Sequence, residues 1–162
     1  MSRLLRGAKK ALPAESVRQL GKELLRTRNR SLRRVAQRLH RIARRKGEDA
    51  RADLKEAYRK LIAITQASCA QAEGVLEVLR AQTDAGAESL LERFEHFMPL
   101  VERGIEQATR RVLEGVQVPA PEKLLSLFEE HTQIITRHKA GKPREFGRKV
   151  LIDEVDGGII SR

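Results

Sequence analysis

Nine arginines lie between residues 26 and 45 of this chain with no carboxylate among them: Arg26, Arg28, Arg30, Arg33, Arg34, Arg38, Arg41, Arg44 and Arg45. A face of this kind can track a phosphate backbone. Each phosphate it neutralises releases condensed counterions, so such binding is strongly salt-dependent and largely blind to sequence. The plainer reading is a solvated charged face, or one that pairs with acidic helices of the same bundle. Density without interleaved acid favours nucleic acid. Arg26, Arg30, Arg33, Arg34, Arg38, Arg41, Arg44 and Arg45 therefore stand as candidate DNA contacts, and neutralising Arg33, Arg34, Arg38 and Arg41 is expected to weaken binding most.

A second basic group, Lys139, Lys142, Arg144, Arg148 and Lys149, flanks a Gly141/Pro143 loop. It suits a DNA-contacting loop, with Lys139, Lys142, Arg144 and Lys149 as the contacts. It equally suits a connection chosen for turn geometry, which Gly and Pro already justify. Asp153, Glu154 and Asp156 suggest a metal site, but neighbouring strand positions point to opposite faces, so Asp153 and Glu154 cannot share one ion. Glu129 and Glu130 fail for the same reason. His131 and His138 have no cysteine partner for zinc, while His40 and His96 read as surface groups. Cys69 is the one cysteine and falls on an apolar stripe, as a small core residue does. No Gly-rich phosphate loop or nucleophile elbow occurs. No catalytic or metal-binding residue is assigned.

The elements that must carry these residues are mostly helical. Val17, Leu20, Leu24, Leu32, Val35, Leu39 and Ile42 recur at three- and four-residue steps, which predicts one amphipathic helix from about Pro13 to Arg45, ended by Gly47. Asp49 or Asp53 is expected to cap a second helix striped by Leu54, Tyr58, Leu61, Ile62, Thr65, Cys69, Ala72, Leu76 and Leu79. After a turn at Thr83–Gly86, a third carries Leu90, Leu91, Phe94, Phe97, Met98, Val101, Ile105, Ala108 and Val112 and stops near Gly115. Pro99 should kink or interrupt it. Three long helices on short turns must run antiparallel to bury their stripes. Residues 1–115 thus read as a basic helical bundle and 116–121, with Pro119 and Pro121, as a stiff connector.

Residues 122–162 follow a different pattern, with β-type runs at Leu124–Phe128, Thr132–Thr136 and Arg148–Val155. Asp156-Gly157-Gly158 then makes a hairpin turn into a returning strand from Ile159. So few short strands do not make a stable sheet alone, and the polypeptide is expected to be cut short.

Composition agrees with a helical chain. Its 162 residues are 40% hydrophobic but only 3% aromatic, with no Trp, and the net charge of +11 gives a pI near 10.5. Residues 1–46 hold 16 Lys/Arg against two Glu, or +14, while 47–118 carry −4 and 119–162 carry +1. The charge is a localised patch, and it implies a polyanionic partner. No apolar run reaches the roughly 20 residues of a membrane span, and neither a signal-peptide pattern nor a disulfide framework is present. A cytoplasmic setting, on the nucleoid when DNA-bound, is expected.

One stretch is more specific than its composition. Leu125-Ser126-Leu127-Phe128-Glu129-Glu130-His131-Thr132, Lys139-Ala140-Gly141-Lys142-Pro143 and Glu145-Phe146-Gly147-Arg148-Lys149-Val150, followed by Gly157-Gly158-Ile159, resemble a run in insertion-sequence transposases of the ISNCY group, within the DDE superfamily. The tight match covers roughly residues 122–162, and the Arg-rich helical segment before it looks like the insertion those enzymes carry ahead of that run. The resemblance implies an RNase H-like core in which Asp, Asp and Glu hold two Mg2+ ions for phosphodiester transfer. It places the first Asp upstream of this segment and the others downstream, so none carries over. The expectation is a mainly α internal fragment: a long-helix bundle followed by a short β-hairpin element from an incomplete RNase H-like core. Its partner would be DNA at transposon ends, with homo-oligomers possible in principle, no membrane, no cofactor of its own and no catalysis. A free-standing basic nucleic-acid-binding module is the alternative, as is a bundle whose helices pair between chains.

Overall fold

The computed structural model describes residues 1–24, 26–83, 85–137, 141, 144–148, 153–155 and 159–161, the segments 22–24, 153–155 and 159–161 by their backbone alone. The described residues are mainly helical, with small antiparallel hairpins after the helices. They form two compact units, Met1–Val118 and Pro119–Arg162. The boundary lies inside the 116–121 connector.

The first unit holds α1 (Ser2–Ala11), α2 (Ala14–Leu24), α3 (Asn29–Ile42), α4 (Glu48–Arg80) and α5 (Ala85–Ala108), which runs on into a π-helical turn, Thr109–Leu113. α4 and α5 are the frame. Short connections force α3, α4 and α5 to alternate in direction, and α3 and α5 each lay an apolar stripe on α4. The main core lies where α1, α4 and α5 meet: Leu4, Leu5 and Ala8 from α1, Ala72, Val75, Leu76 and Leu79 from α4, Ala87, Leu90, Phe94 and Met98 from α5. Phe94 is fully buried at its centre. Gly7 lets α1 sit close, since a Cβ there would come within 2.9 Å of a Leu90 methyl.

Several expectations need correcting. The single helix from Pro13 to Arg45 is two helices. Gly21 sits at φ 71° and ψ 168°, outside the helical region, and residues 26–28 are non-helical before α3 begins at Asn29. The spacing concealed this, because its one gap, from Leu24 to Leu32, equals two four-residue steps and so leaves the helical period in place on either side. α1 is an additional element that the pattern reading did not propose. At the start of α4 the N-cap position is Gly47 at φ 104°, and no side chain caps the helix. Asp49 lies in the first turn, where its charge suits the positive end of the helix dipole. Pro99 lies inside α5 without ending it. The missing N–H leaves one carbonyl of the preceding turn without its helical bond, which the exposed side of a helix tolerates.

In the second unit β1 (Gln133–Thr136) pairs antiparallel with β2 (Arg144–Gly147), matching Ile134 with Phe146 and Thr136 with Arg144. β3 (Asp153–Val155) pairs with β4 (Ile159–Ser161), so the strand expected to return at Ile159 does so. Leu124–Phe128 is not a strand. Ser126 Oγ accepts hydrogen bonds from the backbone N–H groups of Phe128 and Glu129, at 3.2 and 3.1 Å, and turns the chain there. Of the run Arg148–Val155, only its end is a described strand, and β2 was not anticipated. The Asp156-Gly157-Gly158 turn lies outside the described residues.

Candidate nucleic-acid interface

α3 packs one side on α4 and turns the other to solvent. Leu32, Val35, Leu39 and the buried Ile42 form the inner side. At about 100° per residue, Arg30, Arg33, Arg34, Gln37 and Arg41 fall within one sector opposite it. All five are exposed. An open depression lined by Asn29, Arg30, Arg33, Arg34 and Gln37 runs along this face. From Arg30 to Arg41 the row extends about 16 Å at helical rise. No hydrogen bond or ion pair among the described residues engages the side chain of Arg30, Arg33, Arg34 or Arg41.

The remaining arginines of the segment are spent differently. Arg28 Nε donates to Gln71 Oε1 (3.3 Å), Arg38 Nη2 to Glu56 Oε2 (3.1 Å), and Arg45 Nη1 to Asp53 Oδ2 (2.6 Å). Arg38 also lies 3.8 Å from Asp53 Oδ1. As the α3 partner advances from 28 to 45, the α4 partner retreats from 71 to 53. These three rungs tie α3 antiparallel to α4 along its whole length. Arg44 Nη2 meets His40 Nε2 at 2.9 Å, across one turn at the end of α3. Arg26 is exposed and engaged in a further interaction of its own.

The expected arginine face therefore divides in two. Arg30, Arg33, Arg34 and Arg41 form a free outward row. Arg38 and Arg45 form an edge neutralised by α4, which is the intramolecular pairing weighed against DNA contact. Asp53 and Glu56 were not recognised as partners of that edge. Their spacing of three on a helix that must lie beside α3 is the signal that would have found them. Hydrogen bonds from Lys60 and then from Arg38 hold the Glu56 carboxyl below its ordinary range.

Of the second basic group, Lys139, Lys142 and Lys149 lie outside the described residues, as does His138. Arg144 and Arg148 are exposed, at the start of β2 and just past its end. Cys69 is buried against the bundle, and burial, then the charges of Glu102 and Glu73, push its thiol up.

The Mg2+ pair that the resemblance implies finds no fitting donor set in these residues. Among the described residues no three His, Cys, Asp or Glu side chains gather as a metal site. Asp153 and Glu154 are adjacent positions of β3, paired along the ladder with Ser161 and Ile160 respectively. His131 is exposed, and His96 packs edge-on against Phe97 with ring centroids 4.7 Å apart. No helix of the described residues is long and apolar enough to cross a membrane.

The first unit is a helical bundle that displays a row of exposed guanidinium groups along α3. Compared with protein-family models, with curated proteins and with solved structures, the chain matches none.

Proposed function

We propose that this chain is a DNA-contacting part of an insertion-sequence transposase, gripping the sugar-phosphate backbone through the outer face of α3 and cutting no strand itself. The observation that carries the binding role is the row Arg30, Arg33, Arg34 and Arg41, exposed, mutually aligned and without an ion pair among the described residues, while Arg38 and Arg45 are paired. Sequence-blind electrostatic contact is what such a row does, since every guanidinium finds a phosphate and none is placed to read a base edge by a partnered, fixed geometry. The transposase assignment is supported by the run from Leu125 to Val150 and its resemblance to the ISNCY group.

Binding to a labelled duplex of about 20 base pairs, followed by fluorescence anisotropy, tests the first part. Four phosphate contacts give a log–log salt slope of about −3.6, so affinity drops roughly 150-fold between about 50 and 200 mM salt. A flat salt dependence, or no binding at low salt, overturns the reading. Incubation of the purified chain with supercoiled plasmid and Mg2+ or Mn2+ is expected to leave the plasmid uncut, and authentic nicking would refute the non-catalytic role. Translation of the flanking DNA tests parentage. An Asp-Thr/Ser-Thr strand upstream and an Asp-Arg-Gly strand downstream are the expected finding, and their absence removes the transposase assignment while leaving the binding role standing.

A further inference from the structure

The β1–β2 hairpin sorts its side chains in a way that the phosphate-gripping role of α3 does not use. Successive strand residues face opposite sides, so Arg144 and Phe146 share one face of β2, and Arg148 continues that alternation just past the strand. Across the ladder, Ile134 and Thr136 lie on the same face, opposite Phe146 and Arg144. Phe146 is 67% exposed, with both flanking arginines exposed as well. The carboxylate of this strand is on the other side. Glu145 pairs there with Arg137, Oε2 to Nε at 2.9 Å. One face of the hairpin thus presents an uncovered aromatic ring beside Arg144, with the exposed Arg148 one residue past the strand and the Glu145 carboxylate on the opposite face.

An exposed phenyl ring on a sheet normally seeks apolar cover. Two flanking arginines make a poor surround for an apolar protein partner, because covering the ring would also bury both charges. They make a good surround for a nucleic-acid strand. An unpaired base can stack on the ring while the phosphates on either side of it meet the guanidinium groups. In a duplex the base faces are already stacked on one another and closed to the ring. We propose that Arg144, Phe146 and Arg148 form a stacking platform for single-stranded DNA, with Phe146 stacking one base and the arginines holding the adjacent phosphates. The proposal rests on the DNA-binding reading above and adds to it a strand preference: α3 grips the backbone of any DNA, and the hairpin engages an unpaired stretch.

The absence of tryptophan from the chain supplies a direct probe. In F146W the introduced indole is the only one in the protein, and stacking of a base upon it quenches its emission. Titrated with an oligothymidylate, F146W is expected to lose fluorescence in step with binding, and a duplex of equal phosphate content is expected to leave emission nearly unchanged. In parallel, F146A is expected to weaken oligothymidylate binding about tenfold, at the lower end of what a base–aromatic stack contributes, with duplex affinity unaltered. The conservative F146Y should keep the single-strand affinity. Unquenched emission at saturating oligothymidylate, or equal single-strand affinity of F146A and the parent, overturns the platform. Should F146A fail to fold, quenching in F146W decides alone. Failure of the general DNA-binding reading looks different, because duplex binding is then lost in every variant, the parent included.

Discussion

The outer side of α3 and the side toward α4, continued just past the helix end, carry the same residue type and have opposite availability. On the outer side Arg30, Arg33, Arg34 and Arg41 face solvent without partners among the described residues. On the α4 side Arg38 and Arg45 meet Asp53 and Glu56 at 2.6 to 3.8 Å. Counting charge along a sequence treats these alike, yet a neutralised guanidinium releases no counterion when a phosphate arrives unless it first gives up its carboxylate. Charge on a helix is thus available or spent according to what lies across the groove.

The largest expected effect separates the two sets directly. The triple variant R33A/R34A/R41A should bring the salt slope from about −3.6 to about −0.9 and lower duplex affinity at about 0.1 M salt by two to three orders of magnitude. R38A/R45A, which removes one charge from α3 and one from the segment just after it, should change that affinity less than about fivefold. Duplex binding measured by anisotropy across a salt series reads both, with circular dichroism verifying that each variant is folded. Equal losses in the two variants would erase the distinction between outer row and paired edge.

A smaller effect comes from reversing the pairing. D53N/E56Q leaves every arginine in place and frees Arg38 and Arg45 from their carboxylates. Duplex affinity should rise by about three- to tenfold, with the salt slope steepening by roughly one to two units as new phosphate contacts become available. Unchanged slope and affinity would mean that the edge of α3 faces away from bound DNA, which narrows the contact to the outer row alone.

How much of this arrangement was legible in the sequence follows from the range of each signal. The α4 and α5 stripes were legible because Leu76, Leu79, Leu90, Phe94 and Met98 repeat at helical period and bury as that period requires. The break between α2 and α3 was not, since Gly21 at positive φ leaves the spacing of the apolar positions almost intact on either side. The returning strand at Ile159 was legible from the Gly-Gly turn before it. β2 was not, because Arg144-Glu145-Phe146-Gly147 contains a single apolar side chain and ends in glycine, and its partner is set by the ladder to Gln133–Thr136 rather than by its own pattern. The outer row was found by charge density alone. Its separation from Arg38 and Arg45 depends on Asp53 and Glu56, contacts that close only when α3 folds back on α4. A local pattern can state which residues are charged. It cannot state which charges meet.

The smallest effect tests the edge by titration. Hydrogen bonds from Lys60 and Arg38 hold Glu56 below its ordinary 4.5 in the folded chain. The unfolded chain therefore takes up this proton at higher pH than the folded one, and stability from the pair is complete above about 4.5. As pH falls through the depressed folded value, Glu56 protonates, Arg38 loses its closer partner, and that stability disappears. Because the carboxylate is open to solvent, the effect is modest and screened by salt. Urea midpoints of the parent and of E56Q, measured from about pH 7 down to about pH 3, should differ by a constant amount above about pH 5 and converge toward the acid end. Midpoints that stay equally far apart at every pH would show that E56Q acts through packing rather than charge. The Arg38–Glu56 rung would then be a steric contact, and the neutralised edge of α3 would rest on Asp53 alone.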